Sequence, residues 1–382
     1  MSHKVSISMD NVKVGMVTAG PVYARNEHGA QVMLVKAKMP LTDMVIERLH
    51  RYRVKSIVIF ADEHSGIVVP EVEMPPLPKI EPFLREELTA EALSGIRDLF
   101  DVVAGSNITT SDSVVKQMDD VVGQLVETVW DEKSGLVHIA QLKSYDDYTF
   151  HHSLSVALLS VAIGRSLGLE KQYLRELGRI AIMHDIGKIL VPHEILNKPG
   201  KLTNEEIRIM RQHSIKGAMY LRKEGIGNEA MWNALRAHHE RMDGTGYPGG
   251  LKGDEIPFFA RIISVADAYD AVTSYRPYRG PMSPSVAFEL VSGDVGRAYE
   301  YNIVNAFAKT VEFYPKGTAV LLTNDRTGVV ISSDNALRPT LQMLDNGEIL
   351  DLKELRNLHL VVDRVEDHKT APELMERISR EL

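Results

Sequence analysis

The sequence predicts a mainly α-helical protein in which a large helical bundle lies between a small N-terminal α/β domain and a small β appendage at the C-terminus. Two observations favour this fold class. His and Asp residues recur at intervals of about 25 to 30 residues from His152 to Asp267, which suits one polar group for each helical hairpin. Short β-rich segments bounded by turn residues lie on both sides of that region. A length of 382 residues accommodates two or three domains.

Residues 1–72 form the predicted N-terminal α/β regulatory domain. Apolar runs rich in Val and Ile indicate strands, and a Thr-Asp pair before a periodic apolar segment indicates a capped helix. The predicted elements are strands at Pro21–Ala24 and Gln31–Val35 around a turn at Asn26–Gly29, a helix from Thr42 or Asp43 to about Tyr52, and a strand at Ser56–Phe60.

Residues 73–144 are predicted to connect this domain to the bundle. The clustered prolines of Glu73–Pro78 resist both helix and sheet. Helical periodicity then runs from Glu81 to about Ser144, with a break near Gly105. The apolar stripe of the second helix fits either a helical pair that completes the bundle or the seam of a homodimer, and it consists of Val114, Met118, Val121, Val122, Leu125 and Val129.

The predicted catalytic helical domain spans residues 145–313, and the pattern changes beyond it. In the extension formed by residues 314–382, Gly317–Leu322 and Val329–Ile331 flank turn residues at Asn324–Gly328, which predicts a β-hairpin. Leu358–Val362 is a predicted third strand.

Composition limits the function classes. The chain has no cysteine, which excludes disulfides and thiolate metal sites, so any metal must be held by His, Asp or Glu. The net charge of −8 argues against generic binding to a nucleic acid polymer but leaves a small anionic nucleotide open. The N-terminus has no signal-peptide pattern, and no apolar stretch approaches the roughly 20 residues of a membrane span. We therefore expect a cytoplasmic protein without membrane insertion.

His184 and Asp185 close the apolar helical run Leu177–Met183, and Gly187 follows two residues after Asp185. Two adjacent polar residues at the end of such a run are costly to bury unless they are paired or bind a metal. The alternative is a helix-terminal His beside a solvated Asp. A carboxylate next to a His can bridge two metals, which is an arrangement that hydrolyses phosphate esters.

Three motifs occur in a fixed order: the His184-Asp185 dyad, the run His238-His239-Glu240 and the loop Gly246-Tyr247-Pro248. Together they resemble the HD-GYP family of cyclic di-GMP phosphodiesterases, and the resemblance extends from about Tyr148 to about Glu312. It implies an all-α HD-type bundle and metal-dependent hydrolysis of cyclic di-GMP to pGpG, and it leaves open whether GMP is a further product. It also implies effects on biofilm and motility. The N-terminal domain resembles a domain of unknown function often found before HD-GYP domains.

The resemblance implies a binuclear metal centre with two divalent transition metals, for which ligands without sulfur favour Fe, Mn, Ni or Co. Asp185 is the expected bridging carboxylate, and Asp270, three residues after Asp267, is the expected hydrogen-bond acceptor beside the ligands. Some family members carry a Glu at the position of Tyr148 that helps hold a third metal, so we predict two metals here. The implied ligands are His152 rather than His151, His184, Asp185, His213, His238, His239 and Asp267.

The resemblance also assigns substrate contacts. Lys188 is expected to place its ammonium group on the scissile phosphate or the leaving oxygen, and Arg276 and Arg279 are expected to bind the phosphates. The loop with Gly246 and Tyr247 has three open roles, which are to position the site, to contact substrate, or to recruit a GGDEF-type diguanylate cyclase.

Two other functions stay open at this point. The chain could be a His-Asp phosphohydrolase for another cyclic dinucleotide such as cyclic GMP-AMP. It could also be a catalytically silent receptor or adaptor that binds cyclic di-GMP or a cyclase. An Asp185→Ala substitution separates enzyme from receptor, because a receptor role would survive the loss of turnover.

Overall fold

A computed structural model describes residues 3–25, 31–36, 38–52, 54–61, 78, 81–105, 111–139, 142, 148–274, 281–333, 337–345 and 347–366. The predicted turn at Asn26–Gly29 lies outside the described residues, as does the proline-rich linker except for Pro78. Among the described residues, no helix has the length and apolar character needed to cross a bilayer.

The N-terminal unit contains the predicted strands and helix. The helix begins at Asp43 because the side chain of Thr42 accepts a hydrogen bond from the backbone N–H of Val45 at 3.4 Å. Two further strands were not predicted, and one of them pairs along the whole of the Ser56 strand. Buried residues such as Leu49 and Ile59 form a small core of this unit. The elements are β1 His3–Ser8, β2 Val17–Thr18, β3 Val22–Arg25, β4 Gln31–Val35, α1 Asp43–Arg51 and β5 Ser56–Ala61.

Two long helices follow, α2 at Glu86–Val103 and α3 at Ser111–Asp131. All six residues of the predicted apolar stripe on α3 are at most 3% exposed and belong to the core that the bundle also shares. The interpretation as a helical pair that completes the bundle is therefore confirmed. A dimer seam along this stripe is wrong, because the chain's own side chains already cover it.

The bundle is organised around α4, which is buried on all sides from His152 to Gly164. A helix that is apolar all round must lie in the interior, and here α5, α10 and α12 pack around it. The bundle helices are α4 Tyr148–Ser166, α5 Lys171–Met183, α6 His193–Leu196, α7 Asn204–Arg211, α8 His213–Lys223, α9 Glu229–Ala237, α10 Phe258–Thr273, α11 Pro284–Gly293 and α12 Tyr301–Thr310.

The C-terminal extension is a five-stranded antiparallel sheet in the order β10-β6-β7-β8-β9, and its inner face joins the core of the bundle. The predicted hairpin is β6 and β7. The predicted strand at Leu358–Val362 is misplaced, because the Arg338 guanidinium binds the carbonyls of Leu358 and Leu360 and the last strand begins only at Val362. The strands are β6 Ala319–Leu322, β7 Thr327–Ser332, β8 Thr340–Met343, β9 Ile349–Asp351 and β10 Val362–Val365.

His138, between α3 and α4, gives the fold a testable dependence on pH. Burial lowers the pKa of His138 to about 4, against the opposing effect of a backbone hydrogen bond with Glu81. The unfolded chain takes up this proton first, so stability that is present above about pH 6.5 is lost as the pH falls towards 4. When the pH is lowered from 7 to 5, we expect the free energy of unfolding to decrease in both the wild type and the His138→Phe variant. The decrease should be about 1 to 2 kcal/mol smaller in the variant, because it lacks the buried imidazole. Urea titrations at both pH values measure this difference, and parallel decreases would contradict it.

Candidate metal centre

Helix ends bring the predicted ligands to one place inside the bundle. His184 ends α5 as its C-cap, His213 opens α8, and His238 is the C-cap of α9. His152 lies in the first turns of α4, and Asp267 lies in the middle of α10. Since the carbonyls of a last helical turn lack partners within the helix, a His at that position is oriented by its own helix.

The ligand atoms form two groups that share Asp185, which is 1% exposed. One oxygen of Asp185, Oδ1, lies 3.3 Å from Nε2 of His213, in the group with His238 and His239. The other oxygen, Oδ2, lies 3.5 Å from Nε2 of His152 and 3.3 Å from Nε2 of His184. A single carboxylate therefore presents one oxygen to each group, which is the geometry of a bridge between two cations.

Hydrogen bonds fix the orientation of four imidazole rings. Nδ1 of His184 lies 2.7 Å from the carbonyl of Ala181, and the same three-residue step recurs in His213–Met210 and His238–Leu235 at 2.9 and 2.6 Å. Nδ1 of His152 lies 2.7 Å from Oδ2 of Asp270. Because carbonyls and carboxylates only accept, each Nδ1 donates its proton to its partner, and each Nε2 faces the centre. Burial would lower the pKa of His152, but Tyr148 and the surrounding carboxylates raise it, so a cation would replace a proton at its Nε2.

The Nε2 atoms of His213, His238 and His239 lie close together with no proton between them. Nε2 of His213 lies 3.3 Å from Nε2 of His238 and 3.2 Å from Nε2 of His239. Burial lowers the pKa values of all three residues, that of His239 to about 3, so the rings are neutral. Nε2 of His152 and of His184 and Oδ1 of Asp185 are buried and form no hydrogen bond within the described part of the chain. Unpaired lone pairs that converge in this way fit bound cations.

The two carboxylates of α10, Asp267 and Asp270, make different contacts. Asp267 directs Oδ1 to within 3.2 Å of Nε2 of His152 and Oδ2 to within 3.8 Å of Nδ1 of His239, so it faces both groups. Asp270 is fully buried, accepts from His152, and accepts from the Ser274 hydroxyl at 3.1 Å. It therefore orients His152, as the spacing from Asp267 predicted, and lies behind the ligands rather than among them.

Lys188 lies at the edge of the centre, with its ammonium group against Oδ2 of Asp185 and its side chain 27% exposed. Burial favours the neutral amine, but the carboxylates of Asp185 and Asp267 outweigh burial and raise the pKa of Lys188. The group thus stays an ammonium ion at neutral pH. A cation that is fixed beside the shared carboxylate can meet a phosphate that binds there.

Gly187 and Gly217, which were not predicted as functional residues, allow two elements that carry predicted ligands to pack closely against each other. Gly187 lies in the short 3-10 helix Ile186–Leu190 and packs against the first turns of α8. A Cβ atom at Gly187 would overlap the carbonyl oxygen of His213 and lie 2.6 Å from the backbone nitrogen of Gly217. The absence of side chains therefore lets Asp185 approach His213. The only sequence signal was the glycine that follows the His184-Asp185 dyad.

The Gly246-Tyr247-Pro248 loop folds back onto the His238-His239 pair. A Cβ atom at Gly246 would lie 2.5 Å from the backbone nitrogen of Arg241 and 2.6 Å from the carbonyl oxygen of His239, so only glycine fits there. The ring of Tyr247 lies 4.7 Å from the ring of His239. Packing of this loop against the His238-His239 pair thus accounts for the glycine at position 246.

Glu240 ties the loop to the ligands, a role that the sequence analysis did not assign. Its carboxylate is 3% exposed and accepts hydrogen bonds from the backbone N–H groups of Gly249 at 2.5 Å and Leu251 at 3.0 Å. It stands directly after His239, so one buried carboxylate connects the end of the loop to the metal-binding pair. Its position in the His-His-Glu run was the available signal.

Replacement of Glu240 with Gln is expected to destabilise the protein. Gln keeps the shape but offers one acceptor oxygen, so its NH₂ group would face a backbone N–H. Loss of one buried charge-assisted hydrogen bond is expected to lower the free energy of unfolding by about 1.5 to 3 kcal/mol. Chemical denaturation measures this change, and Glu255→Gln in the nearby exposed turn serves as the control. Equal stability of the Glu240 variant and the wild type would contradict the assignment.

Two predicted substrate residues, Arg276 and Arg279, lie outside the described residues. The other predicted site residues lie in or beside the two ligand groups. Tyr148, at the position of the Glu found in some family members, stacks on the ring of His152 at 5.5 Å with an interplanar angle of 15°. An aromatic ring thus packs at the position from which a carboxylate would reach a further metal.

Comparisons with known proteins agree with this geometry. The HD domain family profile matches residues 136–303. A cyclic di-GMP phosphodiesterase of Pseudomonas aeruginosa is 34% identical over 75% of this chain and 72% of its own length. A cyclic di-GMP phosphodiesterase of Thermotoga maritima is 41% identical over 44% of this chain and 46% of its own. A 3′3′-cGAMP-specific phosphodiesterase of Vibrio cholerae is 38% identical over 42% of this chain and 36% of its own.

Proposed function

Since this chain belongs to the HD domain family and to its HD-GYP branch, we propose that it is a metal-dependent phosphodiesterase that hydrolyses cyclic di-GMP to pGpG and further to GMP. The observation that carries the proposal is the pair of ligand groups that share the buried carboxylate of Asp185. Hydrolysis of cyclic di-GMP in the cytoplasm lowers the level of this second messenger and thereby affects biofilm and motility.

The proposed centre holds two divalent metals. His213, His238 and His239 would hold one, His152 and His184 would hold the other, and Asp185 and Asp267 face both groups. Nitrogen and oxygen ligands suit Fe, Mn, Ni or Co. The ring of Tyr148 on His152 supports two metals rather than three, because a phenol is a poorer ligand for this role than a carboxylate. Bound metals of this kind supply an activated water and polarise the phosphoryl group.

The side chains around the centre neutralise charge on the substrate, orient the ligands and bind the phosphates. The Lys188 ammonium neutralises charge that develops on a phosphoryl or leaving oxygen, and it can deliver a proton to the leaving 3′-oxygen. The Nδ1 hydrogen bonds hold the imidazoles in one tautomer, so the ligands need no rearrangement when a substrate binds. Arg276 and Arg279 would bind the phosphates through their planar donor groups.

A second candidate substrate is 3′3′-cGAMP, because a relative that is 38% identical over 42% of this chain is named for that substrate. Both cyclic dinucleotides carry the same two phosphodiesters and differ in one base. A silent receptor is disfavoured, since a protein that only binds nucleotide has no need for a buried set of converging imidazoles, which is costly without cations. A GGDEF-type cyclase partner remains a prediction from the family resemblance, and a homodimer remains a prediction only through a surface other than the α3 stripe.

The proposal is tested on freshly purified protein. Elemental analysis is expected to find about two metals per chain, as a binuclear site requires. The same sample is then incubated with cyclic di-GMP and with 3′3′-cGAMP, under Mn²⁺ and under Fe²⁺ kept reduced, and nucleotides are separated by chromatography. Appearance of pGpG or GMP supports the proposal, and a faster reaction with 3′3′-cGAMP selects the second candidate. Full metal occupancy with nucleotide binding but without product would establish the receptor instead.

A further inference from the structure

Arg211 places an uncompensated positive charge beside the metal centre. It is the last residue of α7, its side chain is exposed, and its guanidinium carbon lies 4.8 Å above the ring of Tyr247. The Tyr247 ring in turn lies 4.7 Å from the imidazole of His239. An arginine that rests on an aromatic face is held by cation–π attraction, and the N–H groups at its edge stay available to another partner.

Three other arginines of the bundle have carboxylate partners. Arg208, one turn earlier on α7, pairs with Glu205, Arg241 pairs with Asp294, and Arg261 pairs with Glu300. The guanidinium of Arg211 has neither a carboxylate partner nor a hydrogen bond within the part of the chain that the structure describes, whereas its backbone carbonyl accepts a hydrogen bond from the Ser214 hydroxyl. In a protein with a net charge of −8, an arginine without a carboxylate beside a cluster of ligands indicates a site for an anion.

The proposed substrate supplies a suitable anion. A cyclic dinucleotide has two phosphodiesters on opposite sides of one ring, and only one of them can be at the metals during a cleavage step. The other must lie outside the cluster of imidazoles, towards the surface. Arg211 lies one aromatic ring beyond His239, on that outer side. Guanidinium is well matched to a phosphodiester because its N–H groups bind two oxygens at once.

We propose that Arg211, supported by Tyr247, binds the non-scissile phosphodiester of the cyclic dinucleotide. This inference rests on the proposed function and adds a second anion subsite to it. The subsite favours substrates with two phosphodiesters over those with one. The subsite does not discriminate between bases, so it binds cyclic di-GMP and 3′3′-cGAMP equally. Tyr247 thereby acts as a platform for Arg211 rather than as a stacking surface for guanine.

The test compares two substrates in the metal-loaded protein. Cyclic di-GMP carries two phosphodiesters, whereas bis(para-nitrophenyl) phosphate carries one and reports the metal centre alone. With Arg211→Gln, the ratio of kcat/KM for cyclic di-GMP to kcat/KM for the aryl phosphodiester is expected to fall about 10- to 30-fold, mainly through KM. Arg211→Lys is expected to restore part of that ratio, since charge remains but the paired donors are lost.

Arg208→Gln is the matched control, because it removes one arginine from the same helix at a side chain that is 75% exposed and paired with Glu205. Its ratio should equal that of the wild type. An unchanged ratio in Arg211→Gln, or an equal loss on both substrates, overturns the inference. Wild-type protein that cleaves the aryl phosphodiester but neither cyclic dinucleotide overturns the proposed function, and the inference about Arg211 falls with it.

Discussion

Replacing Asp185 with Asn is expected to lower the turnover of cyclic di-GMP about 10³- to 10⁴-fold and to reduce the metal content from about two per chain to one or fewer. The reason is the position of this carboxylate between the two ligand groups. Asn keeps the shape but has one oxygen and no charge, so it cannot present an anionic oxygen to both groups. Burial alone would raise the pKa of Asp185, but Lys188 and the imidazoles hold it well below its usual range, so the native side chain is ionised.

Elemental analysis and product chromatography on the same sample measure this result. The matched control is Asp254→Asn, which makes the same chemical change at a carboxylate that is 98% exposed. The control should retain both metals and wild-type turnover. Far-UV circular dichroism checks that the Asp185 variant is folded. A folded variant with two metals and native turnover would show that Asp185 does not bridge the metals.

The convergence of the predicted ligand residues could be anticipated from sequence because each motif carries its chemistry locally. A His directly after a helix is oriented by the carbonyl three residues earlier, as His184 and His238 show, and His213 is oriented in the same way by Met210 at the end of the preceding helix α7. The regular spacing then supplies one such group per hairpin. The positions of His184, His213 and His238 are therefore properties of helix ends, and helix ends leave signals in the sequence.

Contacts between elements distant in sequence were less predictable. The approach of Gly187 to α8 depends on how two helices cross, and the hydrogen bonds that Glu240 accepts depend on the path of a loop. The third strand of the C-terminal extension was misplaced because Arg338 takes the carbonyls that a strand would need. β8 and β9 were not predicted, since short strands follow their neighbours in the sheet more than their own propensity.

The contact at Gly187 leads to the second large effect. Gly187→Ala is expected to lower the free energy of unfolding by about 3 kcal/mol and to weaken metal binding. The added methyl group would meet the backbone of His213 and Gly217, and backbone atoms in two packed helices cannot move aside as a flexible side chain can. Relief of the overlap must therefore shift α8 away from the Ile186–Leu190 turn. That shift separates His213 from Asp185, whose nitrogen and oxygen are 3.3 Å apart.

Gly123→Ala is the matched control, since nothing lies within 4 Å of a Cβ atom at that position in the interior of α3. Relief of the helix penalty of glycine should stabilise that variant by about 0.5 to 1 kcal/mol, so the same substitution is expected to have opposite signs at the two sites. Chemical denaturation gives both values, and elemental analysis gives the metal content. If Gly187→Ala kept full stability and both metals, the close approach of the 3-10 helix to α8 could not be what holds the two ligand groups together.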